Sequence, residues 1–256
     1  MRFQSLTLVA AGAALLAPTT PTAPPPTPPA ADEGSEVRRA AESHVSAADL
    51  LSKVRNCTPV SRGRFRSDGR APAKIPICGT REAVFWKADM DIDCDGRRSE
   101  HCNDRTDPYF SPVTAYQQSD GRHLNAERLP YIVVPTPSGI WDHDADGVHG
   151  GAVAAVVHRG RVRYAVVGDV GPRDIIGEAS YATAKALGIP PDPRNGGTAS
   201  GVTYIVFRDS RVTPIEDAAA ATRVGERLAR EFVDGESYDK SYEKQYGKRH
   251  DQSYGR

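Results

Sequence analysis

The chain has 256 residues, of which 39% are hydrophobic, and its 33 basic and 33 acidic side chains cancel to a formal net charge of zero. That length allows one globular domain of ordinary size plus appendages, and the absence of a basic surplus argues against a nucleic-acid partner. No apolar run after the first residues approaches the roughly 20 residues that span a bilayer, so no membrane partner is expected once the leader is removed, and the mature chain is expected as a soluble monomer.

Residues 1–23 read as a secretory signal peptide, with Arg2 in a short basic region, an apolar stretch from Leu6 to Ala17 and small residues beyond. Residues 24–47 form a linker rich in proline and alanine, extended at its proline-rich start. The folded domain is expected over 48–235, and residues 236–256, which alternate Tyr and Ser with charges, read as a disordered tail. The four cysteines lie at 57, 78, 94 and 102. An even number in an exported chain favours two disulfides, most economically Cys57 with Cys78 and Cys94 with Cys102, although three connectivities are open. A zinc site is the weaker alternative, because no close CxxC pair is present and the histidines do not cluster near the cysteines.

Ser46–Leu51 leads into a short helix, and Lys74–Cys78 suggests an edge strand. From Val84 a strand pattern begins that carries Trp86 and then aspartates at 89, 91, 93 and 95. Side chains alternate along a strand, so these carboxylates share one face and repel one another unless cations neutralise them. Two kinds of cation come into question. Asp91, Asp93, Asp95 and Gly96 match the opening of a calcium loop, as do Asp142, Asp144, Asp146 and Gly147, but Cys102 and Val153 stand where such loops carry a glutamate. The alternative is a polycationic substrate held in an acidic groove with an aromatic platform such as Trp86.

Tyr131–Pro135, Gly151–Val157 and Arg163–Val167 read as short strands, the last two joined by a tight turn at Arg159-Gly160. The strand from Tyr164 ends in Gly168-Asp169-Val170-Gly171-Pro172, and a helical pattern opens at Glu178-Ala179-Ser180 and closes on Gly188. Asp169 is thus placed at a strand end and Glu178 at a helix start, where carboxylates also occur for purely structural reasons. Val202–Phe207 is a further buried strand, and residues 216–233 form an amphipathic helix. The class is mainly β with flanking helices.

Five separate motifs, in order, carry a resemblance: Phe85–Asp93, Leu129–Pro135, Gly168-Asp169, Ile176–Ser180 and Gly201–Phe207. Together they resemble the family 75 chitosanases over roughly residues 48–234. The resemblance implies a secreted, endo-acting hydrolase of β-1,4 linkages in chitosan that inverts the anomeric carbon, with 48–235 as its catalytic domain; no cofactor and no metal are expected, with calcium at an aspartate loop left open. It assigns the catalytic pair to Asp169 and Glu178. The segment Tyr164–Gly188 is also similar to the six-stranded double-psi β-barrels of rare lipoprotein A-type lytic transglycosylases, expansins and family 45 endoglucanases, in which the Asp of the Asp-x-Gly-Pro turn is the acid.

An inverting glycosidase needs one protonated carboxyl and one carboxylate that activates water. Asp169 is expected as acid and Glu178 as base, with Asp89 as the substitute if Glu178 proves structural. Trp86, Asp89, Asp91 and Asp93 are expected to bind substrate, Asp91 and Asp93 by pairing with glucosamine ammonium groups and Trp86, ahead of Tyr131 and Trp141, by stacking on sugar rings. Two other functions remain open: an expansin-like or polysaccharide-binding barrel without hydrolysis, and a lytic transglycosylase acting on peptidoglycan.

Overall fold

A computed structural model of the protein describes residues 44–246. The expected signal peptide, nearly all of the expected linker and the last ten residues of the expected tail lie outside the described residues. In chain order the elements are α1 (Ala47–Lys53), β1 (Cys78–Gly79), β2 (Ala83–Asp93), β3 (Tyr131–Pro135), a 3-10 turn (Asp144–Asp146), β4 (Val153–His158), β5 (Arg161–Gly171), β6 (Glu178–Ser180), α2 (Tyr181–Leu187), β7 (Thr198–Phe207) and α3 (Ala218–Tyr246).

Six strands close into a barrel in the order β2-β6-β3-β5-β4-β7, with β7 pairing back onto β2; β1 adds to the outer edge of β2. The sheet is mixed. The β2–β6 and β3–β5 pairs are parallel, and the other barrel pairs are antiparallel. Alternation divides the apolar side chains into two cores. Val84, Trp86, Ala88 and Met90 of β2 belong to a cluster that draws on all six barrel strands, whereas Phe85, Val157, Ile205 and Phe207 share theirs with Ala221, Ala229 and Phe232 of α3. A helix of 29 residues cannot lie inside so small a barrel, so the face it covers is the outer one and the first cluster fills the interior.

The β4–β5 hairpin forms as expected, with Val157 opposite Val162 and His158 opposite Arg161. Arg159 and Gly160 both take positive φ, 45° and 79°, the twist that a two-residue hairpin turn requires. Both economical disulfides are present, Cys57–Cys78 and Cys94–Cys102, with Cα atoms 5.0 and 4.9 Å apart.

Three boundaries differ from the sequence reading. β5 continues to Gly171, so Asp169 lies within a strand and not at its end. Glu178 opens β6, and the helix begins only at Tyr181, capped by the Ser180 side chain, which accepts from Thr183 N–H. The carboxyl of Glu178 therefore owes nothing to a helix N-terminus. The last helix runs past residue 235 to Tyr246, so the first part of the expected tail is helical.

Candidate active site

The C-terminal half of β2 and the whole of β6 lie side by side, with Asp91 opposite Glu178 and Asp93 opposite Ser180. Ser180 fixes this junction: its hydroxyl donates to the Leu129 carbonyl at 2.8 Å and accepts the Tyr131 N–H at 3.0 Å. Asp91, Asp93 and Glu178 thereby face one cleft of about 640 Å³, where Asp68, Asp95, Asp107 and Asp192 join them. Among the lining residues these seven carboxylates meet a single cation, Arg194. The alternation expected for Asp89, Asp91, Asp93 and Asp95 holds as far as Asp93, where β2 ends, and a chain with zero net charge concentrates its negative charge here.

Asp169 reaches the group through a bulge. Ile132 pairs with Val167 and Val133 with Asp169, so Gly168 is the extra residue of β5, and a bulge of this kind re-aims the side chains that follow it. Only glycine fits: a Cβ at residue 168 would lie 2.6 Å from Cβ and Cγ of Tyr131. Asp169 is buried, and its Oδ1 accepts the N–H groups of Ala115 and Val170, each at 2.7 Å. One carboxylate oxygen each from Asp93, Asp95 and Asp169 lie within 4.8 Å of one another. Asp169 abuts the cleft through these two neighbours and is not itself part of the lining.

Crowding of like charges and burial set the protonation of the group. Burial, then the charges of Asp91, Asp95 and Asp169, pushes Glu178 up to about 8. Burial also drives Asp93 well above the carboxylate range, followed by the charges of Glu178, Asp169 and Asp95. Asp95 is raised to about 6, chiefly by burial. Asp169 is raised by burial as well, but two backbone N–H groups and the His123 charge pull it back. These donors favour its ionised form. Burial and crowding thus favour the neutral forms of Glu178 and Asp93, whereas at Asp169 two backbone donors oppose the rise that burial causes.

Asp89 is not part of the lining. It is buried, its Oδ1 has no hydrogen-bond partner, and burial followed by the Asp91 charge raises it to about 7. It packs against Gly177, whose φ is +119° and where a Cβ would overlap Asp89 Oδ1.

The expected aromatic platform is corrected. Trp86 is 1% exposed and sits inside the barrel, stacked on Tyr204 with ring centroids 5.2 Å apart and planes 11° from parallel. Its even position along β2 puts it on the face opposite the aspartates. Tyr131 and Trp141 are buried too. The second candidate calcium loop is already engaged within the protein: Asp146 accepts from Trp141 Nε1 and Arg208 Nη1, both at 2.6 Å, while Asp144 contacts His149 Nδ1 at 2.7 Å.

Sequence reading missed Asp68, Asp107 and Asp192 as members of the cleft. They come from three loops far apart in the chain. Asp107 is buried beside the exposed Tyr109.

A closed mixed barrel whose outer face carries a cleft of mutually perturbed carboxylates has the build of a glycoside hydrolase site. Residues 90–234, more than half of the chain, match the sequence family described as the fungal chitosanases of glycosyl hydrolase group 75. The chain belongs to that family. Endo-chitosanase C of Aspergillus oryzae is 35% identical over 138 residues, which are 52% of this chain and 33% of that protein. Endo-chitosanase B of Aspergillus oryzae is 29% identical over 185 residues, 63% of this chain and 75% of that protein. The chain therefore spans about a third of the length of the first relative and about three quarters of the second.

Proposed function

We propose that the protein is a secreted endo-chitosanase that hydrolyses β-1,4 linkages between glucosamine units with inversion. The observation that carries this reading is the cleft in which seven carboxylates meet one guanidinium, in a member of the group 75 family. A polycation of linked ammonium groups offsets the repulsion that such a cleft stores. Two disulfides suit an exported protein, in keeping with the signal peptide expected at residues 1–23.

The catalytic pair is Asp169 and Glu178, but their roles exchange relative to the sequence expectation. Glu178, held protonated up to about pH 8 by burial and by its neighbours, suits the general acid that protonates the leaving oxygen. Asp169 suits the base, because the N–H groups of Ala115 and Val170 stabilise its carboxylate. Water activated by Asp169 attacks the anomeric carbon on the face opposite the departing sugar, and both carboxyls return to their starting states by proton exchange with solvent. Asp91, which is exposed, lines the cleft as an ammonium partner, whereas Asp93 is buried and driven towards its neutral form and does not suit that role.

Incubation with soluble chitosan, followed by a reducing-end assay and by proton NMR of the first products, tests this reading. New reducing ends that appear first as the α-anomer support it. Binding without new ends would point to a non-hydrolytic barrel, and anhydro products from peptidoglycan to a lytic transglycosylase.

A further inference from the structure

Tyr109 is 90% exposed, and Val113 is the only other large apolar side chain exposed among the described residues. A bare aromatic ring is costly to leave in water, and this one lies on the rim of the acidic cleft. The backbone beneath it is fixed from several sides. Cys102, at the start of the loop, is tied to Cys94. Arg194, from the loop before β7, donates through Nε to the Thr106 carbonyl at 2.9 Å and through Nη2 to the Arg105 carbonyl at 2.6 Å. Asp107 Oδ1 accepts the Tyr109 N–H at 2.8 Å, and Ser111 N–H donates to Asp95 Oδ1 at 2.7 Å. The loop is held rigidly on both sides of a ring that itself touches little.

We propose that Tyr109 is the sugar-stacking platform of the cleft, a binding subsite at which the ring covers one face of a glucosamine unit beside Asp107. The inference rests on the reading of the cleft as a chitosan site, and it supplies the aromatic surface that Trp86, being interior, does not. Arg194 serves as a positioning residue: its guanidinium is spent on two carbonyls of the Tyr109 loop, which keeps the loop in place. Pre-organisation of this kind lowers the ordering cost of binding.

The test measures glucosamine-hexamer cleavage by the full chain and its Tyr109→Ala, Tyr109→Phe and Tyr109→Trp variants, with hexamer affinity measured calorimetrically in a Glu178→Gln background. Tyr109→Ala is expected to raise KM and weaken affinity about three- to tenfold, the range of one aromatic contact, with kcat changed less than about twofold. Tyr109→Phe and Tyr109→Trp are expected to restore both values to within about twofold of wild type. Unchanged KM and affinity in Tyr109→Ala, or failure of both aromatic variants to restore them, would overturn the assignment. A wild type that binds the hexamer without cleaving it would refute the hydrolase reading alone, and calorimetry would still decide the role of Tyr109.

Discussion

Asp91 and Glu178 stand directly opposite one another across the parallel β2–β6 pair. After burial itself, the Asp91 charge is the largest influence holding a proton on Glu178. Two carboxyls on adjacent strands would ordinarily be a defect. On the proposed reading, this register makes Glu178 the proton donor.

Neutralising Asp91 should therefore change pH dependence before it changes the chemistry. In Asp91→Asn the Glu178 pKa falls, and the alkaline limb of the kcat/KM profile, where the acid loses its proton, is expected to move down by about one pH unit. A profile recorded between pH 4 and 9 would reveal it. An unmoved limb would detach Asp91 from the acid.

The same proton links stability to pH. Glu178 has a folded pKa of about 8 against an ordinary value of 4.5, so the folded chain binds more protons than the unfolded one between those values. The contribution of this group to stability is then fully present at or below about pH 4.5 and is lost as pH rises towards 8. Glu178→Gln removes this penalty. Its melting temperature should exceed that of wild type at pH 8 by at least about 2–4 °C, equivalent to about 1 kcal/mol, and match it near pH 4.

Gly168 lets the bulge of β5 press against Tyr131. Gly168→Ala forces a Cβ to 2.6 Å from Tyr131 Cβ, and both are backbone-proximal atoms that cannot rotate away. A loss of about 1–3 kcal/mol is expected in denaturant melts, together with lower kcat as Asp169 shifts from its two donors. Wild-type activity and stability would show that the bulge does not set the position of Asp169.

Trp86 separates core from cleft. Trp86→Ala should destabilise the fold by about 3–5 kcal/mol, while Trp86→Phe keeps KM for chitosan within about twofold of wild type. A large KM increase in a well-folded Trp86→Phe variant would return the residue to the substrate.

The parts of the fold legible in sequence are those set by neighbours in the chain. The Arg159-Gly160 hairpin, the Tyr131–Pro135 strand and the two short-range disulfides depend on local turns and spacings. Alternation along β2 also placed Asp89, Asp91 and Asp93 on one face, and the same parity, applied to Trp86, puts it on the other with Val84 and Met90. Glu178 was misread because Glu-Ala-Ser followed by an alanine-rich run has helical composition, whereas its three-residue strand exists only through pairing with β2. The extension of β5 through Asp169 likewise depends on β3. Asp68, Asp107 and Asp192 reach the cleft on separate loops, and no period in the sequence connects them.

On the proposed reading, Asp169 and Glu178 together hydrolyse chitosan. Reducing-end release from soluble chitosan by wild type, Asp169→Asn and Glu178→Gln tests it most directly. The expected result is activity in the wild type and a fall of about 100-fold to 10,000-fold in each variant, with the fold retained by circular dichroism. Near-wild-type release by either folded variant would contradict the pair.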